Sequence, residues 1–299
     1  MPSDQEFLAA IQSENADARF AAWRQAGGAS PAVIPQLGRL AASENPGVAK
    51  AAREALTTMA HSVGKQTTAV NRAGVVKGLL DLIAADYALP VRAHAFRLLS
   101  TVADPDSVPA LSTSIRNPEL REEAVFCLER IPGAASLNAL IASYKEAPDE
   151  FKPRLLASLG HRRAAEAVGL CVAAMRSPNK EIAVAALKAF GRIGKKPASL
   201  LRYPDTKTLS DWQRIEHMDS LLRYAEAQAK DGNATEAIAI YRSALERPEE
   251  HFQCAAIIGL ARTNTPEAAA AILPKLKSAD PKVRITAQNA WRSMAAGGG

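Results

Sequence analysis

The stretch DPKVRITAQNAWRSM, Asp280 to Met294, decides the fold because the chain repeats it in altered form. NPELREEAVFCLERI runs from Asn117 to Ile131, and LPVRAHAFRLLSTVA from Leu89 to Ala103. Aligned on their apolar positions, such segments start at Ala16, Pro46, Leu89, Pro118, Asp149, Lys180, Glu250 and Pro281. Two residues after each start stand Ala18, Val48, Val91, Leu120, Phe151, Ile182, Phe252 and Val283. Six residues after come Ala22, Ala52, Ala95, Ala124, Leu155, Ala186, Ala256 and Ala287. Ten residues after come Ala26, Leu56, Leu99, Leu128, Leu159, Phe190, Leu260 and Trp291. Positions four apart share one face of an α-helix, so every segment predicts an amphipathic helix. The alanine column predicts a close helix–helix contact at the same level of each unit.

An apolar helix precedes each of these. Three first helices carry a similar proline-containing core: VIPQL at Val33, SVPAL at Ser107 and ILPKL at Ile272. Proline lacks an amide donor and bends a helix unless it lies in the first turn. Between helices stand ENPG at Glu44, RNPE at Arg116, RSPN at Arg176 and SADP at Ser278. Asn, Ser or Asp beside Pro marks a helix N-terminus. The unit is therefore helix, turn, helix, turn, with most starts 29 to 31 residues apart. One such pair cannot bury its apolar stripe alone, whereas stacked pairs can.

Composition agrees. Hydrophobic residues make up 47% of the 299-residue chain, aromatics only 5%, and alanine is abundant. Alanine has the highest helix propensity, and strand-like alternation of β-branched residues is missing. The expected fold is all-α, a right-handed α-solenoid (α-α superhelix) of about nine stacked antiparallel helix pairs. A formal charge of +6 permits an acidic partner or nucleic acid without requiring either. Cys127, Cys171 and Cys254 lie singly in apolar helical runs. Without a CxxC pair they read as free buried thiols in a reducing compartment. The N-terminus lacks a signal-peptide pattern and no apolar run reaches membrane-spanning length, so a cytoplasmic location with no membrane partner is expected.

The two-helix unit, its first-helix proline and the Val-Arg pairs of its second helix resemble HEAT repeats. The short period is most similar to the bacterial, phycobilisome-lyase-like subset, and the resemblance covers most of residues 16–194 and 248–296. Two gaps are irregular. Between Pro46 and Leu89 the polar insertion HSVGKQTTAVNRAG, His61 to Gly74, reads as a longer loop or an extended helix end. Between Lys180 and Glu250, PASLLRYPDTKTLSDW reads as a break. After it, GNATEAIAIYRSALERP resembles the second half of a tetratricopeptide repeat. That resemblance implies Gly232 in the interhelix turn, Ala237, Tyr241, Ala244 and Leu245 on the packing face, and Pro248 at the helix end. The expected division is a solenoid over 1–196, a linker over 197–211, a tetratricopeptide-like pair with terminal repeats over 212–296, and a Gly tail at 297–299.

HEAT-type scaffolds include enzymes. Deoxyhypusine hydroxylase holds di-iron through His-Glu pairs; here no histidine precedes a glutamate, which argues against that site. The alkylpurine DNA glycosylases use Trp, Asp and Arg in a channel. Trp23 and Trp291 read as core here, and Trp212 stands near Asp211, Glu216 and Asp219 without matching that motif. Phycobilin lyases, which act as chaperones for a pigment, share the repeat. No phosphate loop, GxSxG, HExxH or EF-hand spacing occurs. No catalytic residue, metal ligand or cofactor is assigned.

One pattern invites a functional reading. Three residues after the starts stand Arg19, Arg92, Arg121, Lys152 and Arg284, with Ala49, Ala183 and Gln253 at the rest. Stacking would align these cations as a ladder. The HEAT resemblance implies that an arginine there bonds the turn of a neighbouring unit. The alternative is a basic stripe on the concave face, suited to an acidic or extended segment of another protein, or to phosphates of nucleic acid. The expected function is a non-catalytic scaffold or adapter for another protein; a nucleic-acid-binding module is the rival.

Overall fold

A computed structural model of the protein describes residues 3–65, 71–195 and 209–296. Every regular element among them is helical. The chain forms two compact units, Met1–Glu146 and Ala147–Gly299.

The first unit holds α1 (Asp4–Gln12), α2 (Ala16–Gln25), α3 (Ile34–Leu40), α4 (Pro46–Lys65), α5 (Arg72–Asp81), α6 (Leu89–Val102), α7 (Val108–Thr113), α8 (Arg121–Arg130) and α9 (Ala134–Glu146). Partners within a pair pack together, as in α3 with α4 and α5 with α6. The second helices α2, α4, α6 and α8 pack successively against one another. This is a stack of helix pairs, as the repeat predicted.

The second unit holds α10 (Lys152–His161), α11 (Val168–Ala174), α12 (Lys180–Ile193), α13 (Asp211–Lys230), α14 (Ala234–Leu245), α15 (Glu250–Thr263), α16 (Pro266–Ile272) and α17 (Pro281–Ala296). Here α10, α12, α13, α15 and α17 pack successively. Helix α13 therefore occupies a place in the row of second helices, 31 residues beyond the start of α12. The expected linker, 197–211, falls almost wholly outside the described residues, and so does the Gly tail at 297–299. Of the His61–Gly74 insertion, the first five residues extend α4, and 66–70 lie outside the described residues.

Local chemistry explains the helix starts. The Asn45 side chain accepts from the Gly47 and Val48 amides. Asn179 does the same for Glu181 and Ile182, and Asp280 for Lys282 and Val283. Each bond satisfies an amide that has no partner inside the helix. Pro35 and Pro109 sit in the first turns of α3 and α7, each behind a short 3-10 turn, so neither helix is kinked. Pro274 instead ends the α-helical geometry, and α16 continues as a 3-10 turn over Leu273–Lys277.

The columns fill the core. Beyond the first unit of the repeat, all members of the second and sixth positions are buried. So are all members of the tenth position except Trp291. Expected as core, Trp291 is 37% exposed, because α17 is the last described helix and its far side packs against no other described helix. The alanine column works through volume: with only a methyl at Ala186 or Ala256, neighbouring backbones approach closely. Gly191 carries this further. A Cβ on it would overlap the Ser220 carbonyl oxygen of α13. Beside it the Phe190 and Tyr224 rings meet at a tilt of 34°, with centroids 4.7 Å apart.

Candidate binding surfaces

The ladder is a set of braces. Arg19 donates through one guanidinium nitrogen to the Ser13 and Glu14 carbonyls at 2.6 and 2.9 Å. Arg284 donates to the Ser278 and Ala279 carbonyls at 2.6 and 3.3 Å. Arg92 donates to the Ile83 carbonyl at 3.0 Å. All five acceptors lie at or just beyond the end of the preceding first helix. Carbonyls there have no intrahelical donor and carry the negative end of the helix dipole, so a first-turn arginine that folds back satisfies both. Lys152 reaches Asp149 instead, at 2.7 Å, in its own turn. Arg121 begins α8 and is engaged within the protein as well.

Members that the basic pattern missed extend the set. Where the third position holds Ala49, Arg53 from one turn later donates to the Ala41 carbonyl at 3.0 Å. Gln253 donates to the Arg247 carbonyl at 2.7 Å. Arg214, three residues into α13, donates to the Leu209 carbonyl at 3.0 Å. The signal for Arg214 was the 31-residue spacing from Lys180 to Asp211. It was hidden because Gln213 and His217 stand where other units have an apolar residue and alanine.

A different cationic group is not absorbed in this way. In the second unit a cleft of about 480 Å³ opens where α10, α12 and α13 end. Gly160 and Gly191 form part of its floor. Five cations line it, Arg163, Arg192, Lys195, Arg223 and Lys230, against two carboxylates, Glu226 and Asp231. Lys195 pairs with Asp231 at 2.9 Å, and Lys230 with Glu226 at 3.0 Å. Glu226 also receives Arg262 at 3.2 Å, and Arg223 binds Asp219 at 2.8 Å. Among the described residues, the Arg163 and Arg192 guanidinium groups have neither a hydrogen bond nor an ion pair.

Backbone geometry distinguishes Arg163 from the other cations of the cleft. Helix α10 ends with the Arg163 amide bonded to the Gly160 carbonyl and the Ala164 amide to that of Leu159. That pairing needs a left-handed residue at the turn, a place glycine ordinarily takes. Arg163 holds it at φ 49°. Helix α13 ends in the same motif with Gly232 at φ 88°. An arginine there is held against its own backbone preference.

The remaining candidates are quieter. Burial pushes the Cys127 and Cys171 thiols up to about 12, which keeps them protonated and unreactive. Cys254 is half-buried rather than buried, and its sulfur accepts a hydrogen bond from Thr286 at 3.5 Å. Trp212 is 56% exposed, with the Lys188 ammonium 5.8 Å from its ring centre. Trp23 is half-buried and meets Phe20 edge to face at 5.2 Å. Among the described residues, no three His, Cys, Asp or Glu side chains converge on a point that would suit a metal ion. No described helix is long and apolar enough to cross a membrane.

No family model matches the chain, and no curated protein matches it. Solved structures do. An engineered protein from a structural genomics programme aligns over 99% of this chain and 89% of its own, at 18% identity and a TM-score of 0.42. Kap121p aligns over 97% of this chain at 12% identity and a TM-score of 0.42. A triple mutant of Kap121p aligns over 97% at 11% identity and a TM-score of 0.46. This chain spans 40% of the length of either Kap121p structure.

Proposed function

We propose that this protein is a non-catalytic scaffold of HEAT-like helix pairs that holds another protein, rather than a nucleic-acid-binding module. The observation that carries this choice is the geometry of the ladder. A phosphate-binding stripe needs cations directed outward, one per repeat. Arg19, Arg92 and Arg284 are directed at helix-end carbonyls 2.6 to 3.0 Å away. Leaving those carbonyls for a phosphate would exchange one set of charge-assisted hydrogen bonds for another, with little net gain. The side chains are better explained as parts that hold each turn to the next helix and so brace the repeats for a partner.

Titration of labelled duplex DNA by fluorescence anisotropy tests the choice. Five phosphate contacts would give a log–log salt slope of about −4.5, a loss of several hundred-fold between ~50 and ~200 mM salt. The expected result is weak binding without that slope. A steep slope that disappears in an Arg19→Gln, Arg92→Gln, Arg284→Gln variant would overturn the scaffold reading.

A further inference from the structure

The structure assigns a binding site to the cleft at the ends of α10, α12 and α13: we propose that it receives an extended, Asp/Glu-rich segment of a partner protein. The inference rests on the scaffold reading and names the chemistry of the partner. Two observations support it independently.

The first is charge. The lining carries a formal surplus of three positive charges. Three helix C-termini meet here, and each is equivalent to about half a negative charge, so cations in the last turns are expected to some degree. His161, Arg192 and Lys230 hold those places. Subtracting about 1.5 charges for the three ends still leaves a positive excess. The excess is located: Lys195, Arg223 and Lys230 already have carboxylate partners, and Arg163 and Arg192 do not. A guanidinium presents a planar fork that matches a carboxylate in two-point contact.

The second is strain. A non-glycine residue in the left-handed region costs energy, and such residues cluster at ligand-binding sites. Glycine would close the α10 turn with no such cost, as Gly232 does for α13. Arginine is there instead, on the wall of the cleft. This cost has no return inside the described fold, because the guanidinium touches no internal acceptor.

The occupant is a segment rather than a single small anion, because the cations are spread over three helices. Packed helices lie about 8–10 Å apart, so the first and third ends are separated by roughly 18 Å. An extended chain covers that span with about five or six residues at ~3.3 Å each. A segment with acidic residues at alternate positions meets Arg163 near α10, Arg192 on α12, and the Lys230 and Arg223 region of α13.

The test uses the full chain and fluorescein-labelled peptides of one length: Asp/Glu alternating with Ser/Gly, the Asn/Gln equivalent, and a phosphoserine version with neutral neighbours. The acidic peptide should bind at ~50 mM salt and weaken at ~200 mM, and the neutral peptide should not bind. Arg163→Gly should weaken binding about tenfold while leaving the thermal midpoint unchanged or raised, since it removes one carboxylate partner and relieves the turn. Arg192→Gln should weaken it similarly. Absence of binding by the acidic peptide, or binding by both variants as tight as by the unsubstituted protein, overturns the cleft site and leaves the scaffold reading standing. Binding of the phosphoserine peptide alone overturns the carboxylate assignment. Steep DNA binding that Arg163→Gly abolishes overturns both readings.

Discussion

Arg284 does at the scale of one residue what the repeat does at the scale of the chain. Its guanidinium closes the turn between the 3-10 segment Leu273–Lys277 and α17 by binding two carbonyls that no amide reaches. Arg284→Ala returns those carbonyls to water, which is close by, because the side chain is half-exposed. The loss should be about 1 kcal/mol, that of an ordinary hydrogen bond rather than a buried charged one. Denaturant titration measures it. Arg284→Lys should recover only part of the loss, because an ammonium lacks the guanidinium's reach across two acceptors. No loss in Arg284→Ala would mean that the ladder does not brace the turns. The sequence displayed this column but not its direction: a cation three residues into a helix looks the same whether it faces a carbonyl or a ligand. Arg163 was not legible at all. Its importance lies in a backbone conformation that arginine does not ordinarily signal.

At the scale of the element, close approach sets the limits. Helix α12 meets α13 where Gly191 faces the Ser220 carbonyl, and backbone cannot swing aside as a side chain can. Gly191→Ala should therefore destabilise by about 1–3 kcal/mol, despite alanine's better helix propensity. Gly169 is the control. It lies in α11 with open space where a Cβ would be, so Gly169→Ala should stabilise by about 0.5–1 kcal/mol. Thermal melts of the two single variants suffice; shifts of the same sign would mean that the α12–α13 contact has room for a methyl group. The same contact explains why α13 was hard to place from sequence. Its stripe uses His217 and Gln228, both buried, where other units use aliphatic residues. Gln228 is satisfied by donating to the Gly194 carbonyl at 2.8 Å and accepting from Asn233. A polar residue with buried partners breaks the apolar pattern on which periodicity depends, although the packing is unbroken. The faces of α14, by contrast, were legible: Ala237, Tyr241, Ala244 and Leu245 are all buried, and Gly232 is left-handed in the turn.

For the whole molecule, the stacked pairs imply that stability is local. Each helix packs mainly against its own partner and the next helices in its row, so a defect should propagate little further. Leu260 belongs to a cluster running from Met218 to Met294; Leu56 is buried in α4 and belongs to a different set. Leu260→Ala and Leu56→Ala should each cost about 2–5 kcal/mol of local protection. Amide hydrogen exchange reads this element by element. Leu260→Ala should speed exchange in α13, α15 and α17 and leave α4 at its original rate, and Leu56→Ala should do the reverse. In the double variant the two losses should add to within about 0.5 kcal/mol, as for sites that share no neighbours. Ile257→Ala with Leu260→Ala, both in the one cluster, should depart from additivity by more. Equal loss of protection throughout the chain after either single substitution would show one cooperative core, and the repeat would then describe the sequence's origin rather than how the protein holds together.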